Sequence, residues 1–262
     1  MPDFLDVLAQ TAKETIRAGY YEQLPHAGTY TAASLKKAII QAKKVAIVTE
    51  VKTASPSKCI IRKNVSPKKI ATAMAHGGAV GISVLTEPKY FQGSLNNLAQ
   101  VRDAVKLPVL MKDFILDTKQ LDAAHKLGAN VVLLIQALFD RGYSENSLNE
   151  MIAQAHARNL EVLLETHTEN EFQRAMQSDA DLVGINNRNL GTLKVDLKVT
   201  QNILGSTKSR RKIVMSESGI STAADIRLLL ACGAQAFLVG SAVMQSDDVK
   251  SKVKELVNLK EA

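Results

Sequence analysis

The sequence predicts an α/β fold, a (β/α)8 TIM barrel preceded by an N-terminal helical extension. Three observations carry that expectation. From residue 45 onward a short apolar run alternates with a helical pattern eight times. Strands alternating with helices mean βαβ units on a parallel sheet, and eight such units close a barrel. The length of 262 residues suits one such barrel. No Gly-x-Gly-x-x-Gly fingerprint follows the first apolar run, which argues against the open, doubly wound sheet.

In chain order, FLDVLAQTAKETIRAGYY reads as an amphipathic helix and TAASLKKAIIQAKK as a second one capped by Thr31 or Ser34. Strands are expected at 45–50, 79–84, 108–112, 130–135, 161–165, 181–186, 212–217 and 236–240. Helices are expected at about 66–77, 94–105, 117–128, 145–159, 169–178, 196–204, 221–232 and 246–257. Ser66-Pro67 supplies an N-cap with proline at the first helical position, and Asp117 and Ser221 are further N-caps. Gly77, Gly128 and Gly233 are stop signals. There is no linker or low-complexity stretch. Residues 1–262 are therefore expected to form one domain, with an extension (1–44) packed on a barrel (45–262).

Composition narrows the function. No apolar run approaches a membrane span. The opening MPDFLDVLAQTAKE has acids where a signal peptide has bases, so a cytoplasmic protein is expected. The formal charge of +7 is spread along the chain, and aromatic content of 4% leaves few platforms for stacking bases. That combination argues against nucleic acid and is compatible with an anionic small molecule. Cys59 and Cys232 are far apart and lack metal-ligand spacing, so neither a disulfide nor a metal site is expected. Cys232 closes a helical stretch and reads as a small buried thiol.

The chemistry lies in how the strands end. VAIVTE ends at Glu50 with Lys52 two residues on, PVLMK at Lys112, EVLLE at Glu165, DLVGIN at Asn186 and KIVMSE at Glu217. AFLVG runs into Gly240-Ser241. A buried strand has no structural need for a charge at its carboxyl end, whereas a barrel active site draws its groups from several such ends. Period-two alternation puts Glu50 with Lys52, Lys112 with Phe114, and Asn186 with Arg188 on shared faces. A structural Lys–Glu ion pair explains one such residue more easily than the whole set. The inventory of carboxylates, lysines, an amide and an arginine fits acid/base chemistry on an anionic substrate without metal or cofactor. His167 follows Glu165 on the same face, where a structural role is favoured over support of that carboxylate.

Ser218-Gly219 and Gly240-Ser241 follow strands seven and eight, where barrels commonly bind phosphate through backbone N–H groups beside a short helix. Pro56, Phe91, Phe114, Leu133 and Leu193 are candidates for a pocket around an aromatic group, with ordinary core packing as the alternative.

Taken together, TEVKTASPSK (49–58), GISVLTEPKYFQGS (81–94), LPVLMKDFILD (107–117), LLETHTENE (163–171), GINNRNLGTLKVDL (184–197), MSESGI (215–220) and FLVGSAVM (237–244) resemble the indole-3-glycerol-phosphate synthase family. The resemblance runs in order from about residue 45 to 245. It implies a carboxy-lyase of tryptophan biosynthesis that closes an indole ring, releasing CO₂ and water, on a phosphorylated small molecule. It also implies Lys112 as general acid and Glu165 as base or proton relay. Lys52 would meet the anionic groups or act as a second acid, and Glu50 would orient the lysines. Asn186 would hold the reacting oxygen, and Glu217 would complete the polar ring. Arg188 would meet the substrate carboxylate, Ser218, Gly219, Gly240 and Ser241 the phosphate, and the five apolar residues the ring. Thr166 and Met111 depart from the family's usual valine and arginine and are expected to face the helices. A monomer is expected, with weak self-association as the alternative. Competing readings are phosphoribosylanthranilate isomerase, which needs a cysteine where Glu50 stands, and a barrel that binds without turnover.

Overall fold

The computed structural model of the chain describes residues 2–25, 28, 30–55, 59–62, 66–207 and 211–259. Eight parallel strands close a barrel: β1 (Ala46–Val51), β2 (Gly81–Leu85), β3 (Val109–Lys112), β4 (Val131–Ile135), β5 (Glu161–Thr166), β6 (Leu182–Asn186), β7 (Ile213–Glu217) and β8 (Ala236–Val239). β8 pairs back onto β1 from Ala46–Ala236 to Thr49–Val239. Each strand lies within two residues of its expected place.

Period-two alternation divides the apolar strand residues between two cores. Val48, Leu110, Leu133, Leu163, Leu182, Met215 and Leu238 fill the barrel. Ile47, Ile82, Met111, Val132, Leu164, Val183, Val214 and Phe237 pack outward against the helices. A parallel sheet covered on both faces needs this doubly apolar sequence. Met111 faces the helices as expected, and so does Thr166, which donates to Gly184 O at 2.7 Å.

The surrounding helices are α3 (Pro67–Gly77), α4 (Leu95–Ala104), α5 (Thr118–Lys126), α6 (Gln136–Asp140), α7 (Leu148–Ala157), α8 (Glu169–Gln177), α9 (Lys198–Ser206), α10 (Ala223–Cys232), α11 (Ser241–Gln245) and α12 (Val249–Asn258). Several expected boundaries need correction. Thr222, not Ser221, caps α10, because it forms a reciprocal capping box with Asp225 while Ser221 donates to the same carboxylate. Gly77 is the last residue of α3, and the left-handed stop is Gly78 at φ 99°. The short α6 and α11 fall between the expected elements. Cys59 lies in a two-residue-per-strand hairpin, Ala54–Ser55 with Cys59–Ile60. Cys232 is only partly buried.

The N-terminal extension works at both ends of the barrel. α1 (Phe4–Arg17) starts with a capping box between Asp3 and Asp6. It ends before a left-handed Gly19, after which Tyr20–Glu22 form a 3₁₀ turn, so the expected single helix is broken. Its Leu5, Leu8, Ala9 and Ala12 join the barrel's inner core beside Phe114 and Leu138. Arg141 ties Asp3 and Asp6 to the segment after β4 at 2.7 and 2.6 Å. α2 (Leu35–Ile40) is capped by Ser34, not Thr31. The Glu161 carboxylate, at the start of β5, accepts from Ser34 Oγ and from the backbone N–H of Leu35 (2.8 Å) and Lys36 (3.2 Å). α1 thus lies over the carboxyl-end mouth and α2 against the opposite end.

The 3₁₀ turn is anchored beside β3. Tyr21 Oη donates to Asp113 Oδ2 at 3.0 Å, and Tyr20 Oη donates to Thr86 O at 3.2 Å. Asp113 also accepts from Thr86 Oγ1 (2.5 Å) and from Phe114 N (2.8 Å). Burial outweighs these hydrogen bonds and pushes the Asp113 carboxyl up to about 6 from 3.8. The folded state therefore holds this proton more tightly than the unfolded chain. Its contribution to stability falls as pH rises from about 4 to about 6 and is level on either side. Asp113→Asn should remove that slope. In urea titrations near pH 4 and near pH 7, wild type should lose on the order of 2 kcal/mol more than the variant over the interval.

Candidate active site

Lys112 stands at the centre of the barrel mouth. Its Nζ lies 3.2 Å from Glu165 Oε2 and 2.9 Å from Glu217 Oε2. Both carboxylates are almost fully buried, at 2% and 1% exposure. Strand parity brings the three together, since Lys112, Glu165 and Glu217 continue the inward series of Leu110, Leu163 and Met215. Burial works against the Lys112 charge, but the fields of Glu217, Glu165 and Glu50 outweigh it and raise its pKa. Burial and the neighbouring Glu165 push the Glu217 carboxyl up to about 7, against the pull of Lys112. Glu165 shifts the other way. Burial is outweighed there by Lys112, His167 and a hydrogen bond from Asn186, so it stays ionised.

Glycines make room for these charges. A Cβ on Gly184, the inward residue between Glu165 and Met215, would collide with Glu217 Oε1. A Cβ on Gly240 would lie 2.6 Å from Glu50 Oε1 and 3.2 Å from Lys52 Nζ. Glu50 and Lys52 form a second pair at 2.6 Å.

Lys112, Glu165, Glu50, Lys52 and Gly240 border a cavity of 350 Å³. Lys52, Lys112, Glu50, Glu165, Asn186 and Arg188 give it a polar wall. Phe91, Phe114, Leu133 and Leu193 give it an apolar one, with the two phenyl rings 6.0 Å apart. Ser218, Gly219, Gly240 and Ser241 form a third stretch. Ser218 and Gly219 are both left-handed (φ 65° and 82°). A Cβ on Gly219 would meet Val195 Cγ1 at 2.5 Å, so the turn can sit this close to the loop after β6 only with glycine there. Arg188 Nη1 donates to the carbonyl of Leu193, itself left-handed at φ 60°.

Three placements differ from simple expectation. Glu217 lies beneath Lys112 and does not line the cavity. Pro56 lies outside the described residues. Phe4 and Leu8 of α1, and Leu190 after β6, complete the apolar wall and escaped the sequence reading. The i, i+4 apolar spacing of Phe4 and Leu8 signals a buried helix face but says nothing of what it faces. Among the described residues no helix is long and apolar enough to cross a membrane.

Comparison with known proteins decides the family. The family model described as indole-3-glycerol phosphate synthase matches residues 7–256. The chain belongs to the indole-3-glycerol phosphate synthase family. The synthase of Methanocaldococcus jannaschii is 43% identical over 227 residues, covering 85% of this chain and 82% of that one. The synthase of Dehalococcoides mccartyi is 43% identical over 221 residues, 83% of each. A solved structure, thiamine phosphate pyrophosphorylase from Pyrococcus furiosus, shares the fold with a TM-score of 0.58. Its identity is 20%, over 83% of this chain and 95% of that one. As a member of the synthase family the chain is an enzyme, and neither the isomerase nor the inert-barrel alternative gains support.

Because Gly184 is packed against the Glu217 carboxylate, Gly184→Ala should push that carboxylate away from Lys112. The expected outcome is a loss of about 1–3 kcal/mol in stability from overpacking. A fall in kcat of about tenfold to a hundredfold, from misplacement of the charged groups, should accompany it. Thermal melts and steady-state kinetics on the purified variant check both.

Proposed function

We propose that this enzyme is a carboxy-lyase that converts 1-(2-carboxyphenylamino)-1-deoxyribulose 5-phosphate to indole-3-glycerol phosphate, CO₂ and water. The observation that carries the reading is the ammonium of Lys112, held between two buried carboxylates at the rim of a cavity with one polar, one apolar and one glycine-lined wall. Those walls match a substrate with a phosphate at one end, an aromatic ring at the other and a ketone between.

The chemistry follows from that placement. Phe91, Phe114, Leu133, Leu193 and, from the covering helix, Phe4 and Leu8 take the anthranilate ring. Arg188 meets the ring carboxylate, where a planar bidentate donor suits the partner. Backbone N–H groups of the Ser218-Gly219 and Gly240-Ser241 turns take the phosphate, with Lys52 beside them. The ring carbon bearing the carboxylate attacks the ketone carbon, and Lys112 gives a proton to the ketone oxygen. In the free site the surrounding carboxylates keep Lys112 protonated, the state in which a general acid must start. Loss of CO₂ leaves its bonding electrons in the ring and restores aromaticity. The new hydroxyl then departs as water with a proton from Lys52, or from Lys112 once solvent has reprotonated it. Glu165 takes the proton from the adjacent carbon, closing the indole. Asn186 holds the reacting oxygen, Glu50 orients Lys52, and Glu217 stabilises the Lys112 ammonium from beneath. The active form is proposed to be a monomer. The two widely spaced cysteines suit a reducing, cytoplasmic setting.

Indole fluorescence appearing when the purified protein meets this substrate tests the reading. Lys112→Ala should lower turnover by roughly a hundredfold or more, the scale of a lost general acid. Full activity in the variant would move the acid role to Lys52. A folded wild type that binds substrate and forms no indole would establish the inert barrel instead. Arg188→Ala should act differently, raising KM by about tenfold or more with a smaller effect on kcat, as expected for a lost charge-assisted contact made before and during reaction.

A further inference from the structure

Lys112 does not by itself distinguish Glu165 from Glu217. Its ammonium is, if anything, nearer to Glu217, at 2.9 Å against 3.2 Å. The two carboxylates differ at their second oxygens. Glu217 Oε1 is buried with no hydrogen-bond partner. Glu165 Oε1 has the imidazole Nε2 of His167 at 3.4 Å, an ion-pair distance at which that buried nitrogen makes no hydrogen bond. His167 follows Glu165 by two residues, just past the end of β5, and its side chain is 14% exposed.

The other edge of the ring faces a second carboxylate. His167 Nδ1 lies 3.6 Å from Glu171 Oε2, and the His167 backbone N–H donates to that same oxygen at 2.7 Å. Glu171 sits in the first turn of α8. The ring therefore bridges two carboxylates, one in the cavity wall and one on a helix outside the barrel.

The charged groups around His167 come from four elements. Glu165 belongs to β5, Glu171 to α8 and Glu217 to β7, and Lys112 of β3 stands on the far side of Glu165. Burial disfavours an imidazolium, but Glu171, Glu165 and Glu217 outweigh it and raise the His167 pKa. A cation at this point acts most strongly on the carboxylate it touches.

We propose that His167 is a positioning residue that makes Glu165, rather than Glu217, the ionised member of the carboxylate pair, with Glu171 holding its ring in place. The inference rests on the assignment of Glu165 as base in the reaction proposed above. It explains why two buried carboxylates on one lysine do not share a single role. Where two titratable groups lie in environments that drive their pKa values apart, acid and base identities are assigned by the surroundings.

His167→Asn tests it through the pH dependence of kcat/KM. Removing a cation beside Glu165 raises its pKa, so the acidic limb should move to higher pH by about one unit. At neutral pH Glu165 stays ionised in the variant, so kcat should change much less there than on the acidic limb, with KM little affected. Glu171→Gln should move the limb in the same direction by less. An acidic limb that stays in place in His167→Asn, whether or not the rate falls, would overturn the proposal.

A second measurement does not need turnover. NMR titration of the imidazole carbons should show the His167 pKa falling more in Glu165→Gln than in Glu217→Gln. Equal shifts in both, or none in either, would overturn the proposal even if His167→Asn fails to fold. A wild type that makes no indole would sink the functional reading alone, and the titration would still decide whether His167 and Glu165 are coupled.

Discussion

An ammonium surrounded by carboxylates inside a barrel is the constraint around which the mouth of this protein is organised. Leaving either sign unpaired there costs several kcal/mol. Glu50, Lys112, Glu165 and Glu217 come from β1, β3, β5 and β7. Barrel interiors are filled in layers of four side chains supplied by alternate strands. The top layer of this barrel has the geometry of a core layer and the composition of an active site. Three carboxyl groups and one ammonium leave an excess of negative charge. The structure relieves it with Lys52 on Glu50, His167 on Glu165, and a proton held more tightly by Glu217.

The even-numbered strands accept that arrangement by giving up volume. Gly184 of β6 leaves the space that Glu217 fills, and Gly240 after β8 leaves space for Glu50 and Lys52. Between them the apolar layer of Val48, Leu110, Leu133, Leu163, Met215 and Leu238 keeps water from reaching the charges from below. α1 covers them from above. A dry surrounding strengthens every interaction within the layer, so the extension contributes to the electrostatics of the site as well as to its walls.

Much of this was legible in the sequence because strand periodicity is a strong constraint. Once the eight apolar runs are recognised, alternation alone sends Glu50, Lys112, Glu165, Asn186 and Glu217 inward at one end. The phosphate-loop candidates followed from their position after the seventh and eighth strands. What could not be read depended on contacts distant in sequence. Nothing local in FLDVLAQ says that Phe4 and Leu8 lie over the barrel mouth, because the same face would suit any apolar surface. Glu217 looked equivalent to Glu165, and only the packing shows it beneath Lys112 and outside the cavity wall. Ser221 was read as the cap of α10, and Thr222 takes that place because its hydroxyl is the one that meets the Asp225 N–H.

Alternation has a further consequence at the strand ends. Three of the inward candidate groups are followed by a buried polar residue facing outward: Asp113 after Lys112, Thr166 after Glu165, Asn187 after Asn186. Asp113 receives the Tyr21 hydroxyl of the N-terminal segment. Thr166 donates to the carbonyl of Gly184, the residue that makes room for Glu217. Asn187 Nδ2 donates to Ser216 Oγ and to the carbonyls of Glu217 and Ser218, while its Oδ1 accepts from Thr200. Strand ends leave backbone groups without ladder partners, and a buried carbonyl must find a donor elsewhere. The outward residues supply those partners. In doing so they fix the direction in which each loop leaves the barrel, and hence where the Ser218-Gly219 turn stands relative to Asn186. The candidate chemistry on the inner face and the loop geometry on the outer face are thus specified by adjacent residues at the same strand end.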